Sequence, residues 1–478
     1  MPTKRRLLIT LIVVFMALVL WIPQGVLAAG PKNVIFYIGD GMAAAQRRIP
    51  EEVYGRKLAM NTLPVVGIYT TYSLSSIVTD SAGAGTAMAT GHKTRSTCIS
   101  MDRKGKIAYE TLAEAAKKLG KSVGILTTTR LTHATPATFA AHIRTRYWEN
   151  KIADQYLDQG FEVWMGGGRR YFIPKTAHNR QEPDRGMKSK RKDERDLLKE
   201  FEAKGYSVLR TKSELIALEI KKGTKIFAAF TYSHLPYYLD RPDEVPNLAE
   251  MTLVAIKVLK QNPKGFFLMV EGGRIDHACH ANASAGTVGD VIDLDNAVKV
   301  GIDFSKEDPD TLILVGGDHE TGGMAMGIGK DYFMRPEVIK KVTKSEMWLG
   351  YGKVLKTPDK AIEIFTKYTR ITDLTEEETK EIEKVIEYTK AGQGQKSPNR
   401  TYNPSWFGFT FASILSKRAR IGWTTFAHTG HPVMITAGGP GSEKFTGFYD
   451  NTDIPKKITS LWGVTLKSWP VKRTGRKK

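Results

Sequence analysis

Four short runs of apolar residues in this chain end abruptly in glycine or polar residues. They lie at positions 34–38, 123–126, 266–270 and 312–315. Runs that are apolar throughout are typical of strands covered on both faces, as in a parallel sheet. Amphipathic helical patterns lie between them, for example at 109–119 and 248–260. This alternation predicts a doubly wound α/β fold, in which ligands bind at the carboxyl ends of the strands.

Two segments depart from the alternating pattern. Residues 175–202 are charged and polar, which predicts a surface loop that runs into a helix. Residues 321–420 contain an acidic and basic helical pattern near 376–390. We interpret this second segment as a small subdomain inserted into one catalytic domain that spans residues 30–470.

The first 29 residues resemble an export signal. Lys4, Arg5 and Arg6 form a basic start, residues 7–22 are apolar, and small residues at 26–28 suit a cleavage site. The apolar run is long for a signal, so a retained membrane anchor is the alternative. We therefore expect an exported protein, located in the periplasm, at the cell surface or outside the cell.

The charge of the chain is strongly positive. Its 478 residues include 71 Lys and Arg against 50 Asp and Glu, a formal net charge of +21. Such a field attracts anions in general, including phosphorylated substrates, cell-wall polymers and nucleic acid. The sequence contains no nucleic-acid-binding motif, so we predict no nucleic-acid partner.

The two cysteines, Cys98 and Cys279, allow one disulfide in an oxidising compartment.

Residues 78–91 combine a hydroxyl group with a run of small side chains. Ser81 opens this run, and Asp80 directly before it can cap a helix. The start of a helix has unpaired N–H groups that suit a phosphate. The segment by itself is equally compatible with a capped, tightly packed helix that has no chemical role.

Acidic residues and histidines recur where the predicted strands end. Asp276 and His280 are four residues apart, which places them on one face of a helix, and the pair Asp318–His319 follows Gly316 and Gly317. Glycines there permit the irregular turn that two adjacent ligands require. Asp40, Glu271 and His428 add further ligands, and together these side chains predict a metal centre.

Six motifs in the same order resemble the alkaline phosphatase family. They are residues 38–42, residues 79–82, residues 134–136 with Arg146, residues 270–272 with Ile275, Asp276 and His280, residues 318–319, and residues 428–430. They cover the chain from residue 33 to about 440. The resemblance implies a three-layer α/β/α sandwich with a large, mostly parallel central sheet, and hydrolysis of phosphate monoesters. It also implies a homodimer as the usual assembly.

The resemblance further implies a role for each site residue. Ser81 is the nucleophile that becomes a phosphoserine, and Arg146 binds two phosphate oxygens. One Zn²⁺ is held by Asp40, Asp318 and His319, and a second Zn²⁺ by Asp276, His280 and His428. A third metal, Mg²⁺, is held by Asp40, Thr135 and Glu271. Imidazole-rich sites suit zinc and oxygen-only sites suit magnesium.

Two histidines leave the identity of the third metal undecided. His133 and His277 occupy positions where some family members carry Asp and Lys and others carry His, so either could contact that metal or its waters. Five other histidines have no assigned role: His92, His142, His178, His234 and His431.

Three protein classes are the alternatives to a phosphomonoesterase: a phosphodiesterase, a cofactor-independent phosphoglycerate mutase and a non-catalytic phosphate-binding protein.

Overall fold

A ten-stranded sheet forms the centre of the protein in the computed structural model, which describes residues 30–177, 188–330, 332–350, 357–390 and 406–471. In chain order the strands are β1 (Asn33–Gly39), β2 (Val65–Thr70), β3 (Ile107–Tyr109), β4 (Ser122–Arg130), β5 (Val163–Gly167), β6 (Ser207–Leu209), β7 (Ile226–Ala229), β8 (Phe266–Gly272), β9 (Thr311–Gly317), β10 (Glu320–Thr321), β11 (Ala325–Met326), β12 (Ile421–Gly422), β13 (His428–Thr429), β14 (Val433–Gly438), β15 (Gly447–Asp450) and β16 (Ser468–Pro470). The order across the sheet is β15-β2-β14-β9-β1-β8-β4-β5-β7-β6. Only β14 runs against the other nine.

Helices cover both faces of this sheet. In chain order they are α1 (Ala44–Tyr54), α2 (Ser81–Thr90), α3 (Leu112–Lys118), α4 (Ala134–Thr138), α5 (Glu149–Gln159), α6 (Leu197–Ala203), α7 (Lys212–Ala217), α8 (Leu248–Leu259), α9 (Arg274–His280), α10 (Ser284–Glu307), α11 (Pro336–Lys340), α12 (Glu346–Leu349), α13 (Pro358–Thr369), α14 (Glu376–Lys390), α15 (Trp406–Ala419) and α16 (Asp453–Leu461). Val34 and Phe36 of β1 pack in one apolar layer and Ile35 and Tyr37 in the other. Because side chains alternate along a strand, a strand buried in both layers must be apolar throughout. The predicted three-layer α/β/α sandwich is confirmed.

The four predicted strands are all present, and the helix predicted at 248–260 is α8, one residue shorter. The helix predicted at 109–119 begins later, at Leu112. Tyr109 belongs instead to β3, where it pairs with Ser468. Thr111 starts the helix because its hydroxyl accepts from the backbone of Glu114, whose carboxylate accepts from Thr111 N–H.

Helices α11 to α15 pack around a third apolar cluster, to which α1 and α10 also contribute residues. Phe365, Ile382 and Phe411 are fully buried in it. Helix α14 has the bounds that the sequence pattern predicts. The interpretation of residues 321–420 as an inserted subdomain stays a prediction.

The loop predicted at 175–202 runs into α6 as expected, although its positions 178–187 lie outside the described residues. The predicted signal or anchor at 1–29 lies outside them as well. Within the described ranges, no helix is both long enough and apolar enough to cross a membrane. Cys98 and Cys279 are both buried free thiols, so the disulfide that the sequence allows is not formed.

Candidate metal centre and active site

Three neighbouring strands bring four of the predicted site residues to one edge of the sheet. Asp40 follows β1, Glu271 lies near the end of β8, and Asp318 and His319 follow β9. These strands are adjacent in the order β9-β1-β8 and parallel, so their carboxyl ends meet at the same edge. All four side chains are fully buried. The strand-end placement that the sequence indicated is therefore correct.

The glycines before Asp318 have a different role from the one predicted. Gly316 and Gly317 lie inside β9 rather than in a turn, and neither has a positive φ. A Cβ on Gly317 would lie 2.2 Å from the Met42 carbonyl oxygen, and one on Gly316 would lie 2.5 Å from the Tyr69 hydroxyl. The glycines allow close packing there, and the bend that directs two adjacent side chains to the centre begins at Asp318.

The second predicted ligand set comes from a helix and a short strand. Helix α9 places Asp276 and His280 one turn apart, with 3.3 Å between Asp276 Oδ1 and His280 Nε2. His428 lies in β13, which pairs with β10, and its Nε2 is 3.5 Å from the same carboxylate oxygen. The two Nε2 atoms are 3.0 Å apart. The three side chains therefore converge on one point.

Backbone carbonyls determine which nitrogen of these two imidazoles carries the proton. His280 Nδ1 lies 2.6 Å from the Phe426 carbonyl oxygen, and His428 Nδ1 lies 2.7 Å from that of Thr79. A carbonyl only accepts, so each Nδ1 must donate, and a neutral ring then has a lone pair at Nε2. Two lone pairs face each other beside the Asp276 carboxylate. Such a contact is repulsive unless a cation lies between the nitrogens, and this donor set therefore fits a metal ion.

His319 presents its Nε2 in the same way. Thr321 donates its hydroxyl hydrogen to Asp276 Oδ1 at 2.7 Å, which leaves the Thr321 oxygen to accept from His319 Nδ1 at 3.3 Å. The lone pair at His319 Nε2 then faces Asp318 Oδ2 and the Ser81 hydroxyl, each at 3.2 Å. Ser81 is therefore directly beside a second set of metal-ligand atoms.

Four buried carboxylates at the centre each have one oxygen that accepts no hydrogen bond from the described residues. These atoms are Asp40 Oδ1, Glu271 Oε1, Asp276 Oδ2 and Asp318 Oδ2. Burying an unpaired carboxylate is costly, so a group of them calls for cations. The donor atoms form three sets, each within 4.8 Å, consisting of Asp276, His319 and His428, of Asp40, Asp318 and His319, and of Asp40, His133 and Glu271.

The pKa values express the same crowding of charge. Burial, together with repulsion from Asp318 and Asp276, raises the pKa of Asp40 well above its usual value. Burial raises the pKa of Glu271 to about 7 and that of Asp318 to about 6. Asp276 differs: burial alone would raise its pKa, but the positive charge that His280 and His428 carry when both ring nitrogens are protonated holds that pKa well below the usual value, so this carboxylate favours a cation beside it.

Ser81 is buried at the first position of α2, whose N-cap is Asp80 as predicted. Asp80 Oδ1 accepts from the Gly83 N–H at 3.0 Å. The small residues of this helix serve packing: a Cβ on Gly85 would lie 2.7 Å from the Thr138 hydroxyl of α4. The helix can approach α4 closely because it has no side chain at that position.

The predicted phosphate-binding arginine lies beside Ser81's helix. Arg146 Nη1 donates to Asp80 Oδ2 at 3.3 Å, and its Nη2 donates to His133 Nε2 at 3.0 Å. The predicted third-metal ligand Thr135 donates its hydroxyl hydrogen to Asp40 Oδ2 at 3.3 Å. Every residue predicted from the sequence therefore lies at or beside the same cluster of buried acids and histidines.

Three histidines pack together next to the third ligand set. The ring centroids of His133, His234 and His277 lie 4.5–5.5 Å apart, and burial lowers the pKa of each well below its usual value. His234 had no assigned role in the sequence. The sequence feature that could have indicated His234 is the apolar run of β7, which ends at Ala229 and leads to His234 at the same edge of the sheet. Arg130 of β4 contacts His234 and pairs with Glu149.

The three packed histidines and two of the predicted zinc ligands, His280 and His428, line one cavity of about 1090 Å³. Asp80, Arg146, His280 and His428 line it at the metal-ligand end. Positive Arg146 and the start of α2 make this end suitable for a phosphate group.

Comparison with known proteins identifies the family. A sequence profile described as "Alkaline phosphatase" matches residues 31–464. Alkaline phosphatase 3 of Bacillus subtilis is 36% identical over 91% of this chain and 90% of its own length, and alkaline phosphatase 4 of the same organism is 35% identical over 88% and 87%. The crystal structure of Thermus thermophilus alkaline phosphatase has a TM-score of 0.79 at 31% identity, covering 93% of this chain and 95% of that chain.

The chain therefore belongs to the alkaline phosphatase family. It is a metal-dependent phosphomonoesterase, and its substrates are phosphate monoesters.

Proposed function

We propose that this protein is an exported alkaline phosphatase that hydrolyses phosphate monoesters through a phosphoserine at Ser81. The observation that carries the proposal is the arrangement of His280, His319 and His428. Each ring directs its Nε2 toward a buried carboxylate, that of Asp276 for His280 and His428 and that of Asp318 for His319, and His319 Nε2 also lies 3.2 Å from the Ser81 oxygen. Neutral imidazoles with carboxylates are the ligands that zinc prefers.

The proposed assignment of metals follows the donor chemistry. Asp40, Asp318 and His319 would hold one Zn²⁺, and Asp276, His280 and His428 would hold the other. Asp40, Thr135 and Glu271 would hold Mg²⁺, because their donors are hard oxygens. His133 offers a nitrogen within 4.8 Å of the Asp40 and Glu271 oxygens, so it competes with the magnesium assignment at this third position.

In the proposed reaction the Ser81 hydroxyl gives its proton to water, and its oxygen forms a bond to phosphorus while the bond from phosphorus to the ester oxygen breaks. The alcohol leaves and takes a proton from water. A water oxygen then attacks the phosphoserine and loses a proton, the Ser81 oxygen leaves and takes up a proton, and inorganic phosphate is released. Bound divalent cations supply Lewis acidity, which stabilises negative charge on the attacking and leaving oxygens.

Arg146 has the role of orienting the phosphate. Its planar guanidinium can donate to two non-bridging oxygens at once, a geometry that lysine cannot reproduce. Asp80 and His133 hold two of its nitrogens, at 3.3 and 3.0 Å, which limits rotation of the group before substrate binds. A monoester has more free charged oxygens than a diester. Arg146 therefore supports the hypothesis that the enzyme hydrolyses phosphate monoesters rather than diesters.

Export and assembly complete the proposal. The basic start, apolar run and small residues within positions 1–29 support export, with a retained anchor as the alternative. A homodimer is proposed from the family resemblance alone.

The decisive experiment is metal analysis of the purified enzyme, combined with turnover of an aryl phosphate monoester and the matching diester. We expect two zinc ions and one magnesium ion per chain and faster hydrolysis of the monoester. A faster reaction with the diester would overturn the assigned substrate preference. Full activity in an enzyme stripped of zinc would overturn the metal assignment.

A further inference from the structure

The cavity that Asp80 and Arg146 line has a second end, where apolar side chains form part of the wall. Its walls there include Leu235, Pro236, Tyr237, Met347 and Trp348. Leu235 is fully buried and Met347 nearly so, and Trp348, with 40% of its surface exposed, is therefore the main accessible apolar group among these residues. A phosphate bound at the metal-ligand end would therefore have an apolar surface elsewhere in the same cavity, available to the alcohol part of a substrate.

Two polar side chains at this second end, Asp240 and Arg274, already contact other parts of the protein. Asp240 accepts from the backbone N–H of Ser345 at 2.9 Å and from its hydroxyl. The Arg274 guanidinium lies 3.7 Å from the centre of the Tyr237 ring and contacts His277. Both Asp240 oxygens accept hydrogen bonds and the Arg274 guanidinium lies on the Tyr237 ring, so we expect the neighbouring Trp348 side chain to offer apolar contact to an alcohol group.

Met347 and Trp348 belong to α12, a four-residue helix that is too short to be stable by itself. Two anchors hold it. The Ser345 hydroxyl accepts from the Trp348 N–H at 3.1 Å, and the fully buried Glu346 accepts from the N–H groups of Ala285 and Gly286 at 2.8 and 3.0 Å.

The second anchor ties α12 to the metal centre. Ala285 and Gly286 lie in the first turn of α10, which follows α9 along the chain after only three residues. Helix α9 carries Asp276 and His280. The position of Trp348 is thus fixed relative to the side chains proposed to hold the second zinc.

We propose that Met347 and Trp348 form a leaving-group wall, which selects phosphate monoesters whose alcohol carries a flat or bulky apolar group. This inference rests on the proposed function, because it assumes that phosphate binds between Ser81 and Arg146. An aromatic ring packed on the wall loses apolar surface to water. A tenfold preference, or 1.4 kcal/mol, requires the burial of roughly 55 Å².

Benzyl phosphate and ethyl phosphate provide the test, since both release a primary alcohol and differ in the size of the apolar group. Trp348→Ala should lower kcat/KM for benzyl phosphate about tenfold and that for ethyl phosphate less than twofold. Trp348→Phe should retain most of the preference, because a flat ring remains. Trp469→Ala is the matched control: this tryptophan is 37% exposed, lies in β16 and does not line the cavity.

Inorganic phosphate separates the wall from the phosphate site. It has no alcohol group, so its inhibition constant should be unchanged in Trp348→Ala. A matching loss of phosphate affinity, or equal losses with both esters, would overturn the wall.

Binding of 2-phenylethylphosphonate and propylphosphonate to the metal-loaded enzyme repeats the comparison without turnover. We expect the first to bind about tenfold more tightly, and the preference to disappear in Trp348→Ala. If the unaltered enzyme hydrolyses neither ester, the proposed function fails, while this binding ratio still decides whether the wall exists. Equal affinities in the unaltered enzyme would overturn it.

Discussion

The two ends of the active-site cavity are built on different physical principles. At one end, side chains from β1, β8 and β9 and from α9 bring buried carboxylates and imidazoles into contact. At the other end, Met347 and Trp348 present an apolar surface from a short helix in the segment between β11 and β12. The first end is shaped by charge and the second by apolar area.

This difference separates catalysis from selection. Charges in a buried site interact strongly, so a small displacement of any ligand changes the balance of the whole centre. Apolar contact is weaker and non-directional, and it changes in proportion to the area covered. A leaving-group wall can therefore change while the metal ligands keep their geometry. The predictions below test this separation.

The largest effect is expected at Ser81. Ser81→Ala removes the nucleophile and should lower kcat for monoesters by roughly a thousandfold or more. Labelled phosphate trapped at acidic pH should be found on the Ser81 peptide of the unaltered enzyme and should be absent from the variant. A label on another residue would contradict the assignment of the nucleophile.

A smaller effect is expected at Arg146. Arg146→Lys keeps the charge but loses the planar fork, so kcat/KM for a monoester should fall by one to two orders of magnitude, about what one or two charge-assisted hydrogen bonds contribute. Diester hydrolysis should fall much less. Equal losses on both substrates would show that Arg146 does not bind the additional charged oxygen of the monoester.

The anchor of α12 should affect stability rather than chemistry. Burial raises the pKa of Glu346 to about 7, from 4.5. Its folded pKa lies above its unfolded value, so its contribution to stability is complete below about pH 4.5 and is lost as the pH rises through 7. The loss is on the order of 3 kcal/mol.

Glu346→Gln cannot ionise, so it should gain stability relative to the unaltered protein as pH rises. The Tm of the variant minus that of the unaltered enzyme should increase by a few degrees between pH 5 and pH 9. Asp290, whose pKa burial also raises to about 7, is present in both proteins, and its effect cancels in this difference. A Tm difference that is independent of pH would show that the Glu346 carboxyl does not titrate in this range.

Much of this enzyme could be read from its sequence. Uninterrupted apolar runs predicted buried parallel strands, because a strand covered on both faces has no position for a polar side chain. The endings of those strands then placed Asp40, Glu271, Asp318 and His319 at one edge, and the four-residue spacing of Asp276 and His280 placed both on one face of α9.

Tertiary contacts decided what short-range patterns do not encode. The sequence could not show that Gly85 and Gly317 serve close packing, since that role depends on Thr138 and on the Met42 carbonyl oxygen from distant parts of the chain. The proton positions of His280 and His428 depend on carbonyl groups of Phe426 and Thr79.

His234 and Trp348 line the cavity for the same reason, because contacts between distant parts of the chain place them there. Their local sequences resemble ordinary loop and helix, and only the packing of β7 and the anchoring of α12 by Glu346 bring them to the cavity beside the metal centre. The sequence alone indicated four of the ten strands of the central sheet and the residues proposed to carry the chemistry, because apolar runs and ligand motifs are patterns within a few positions. The folded structure alone decided which surface faces the alcohol of the substrate, because that surface is assembled from segments more than a hundred residues apart.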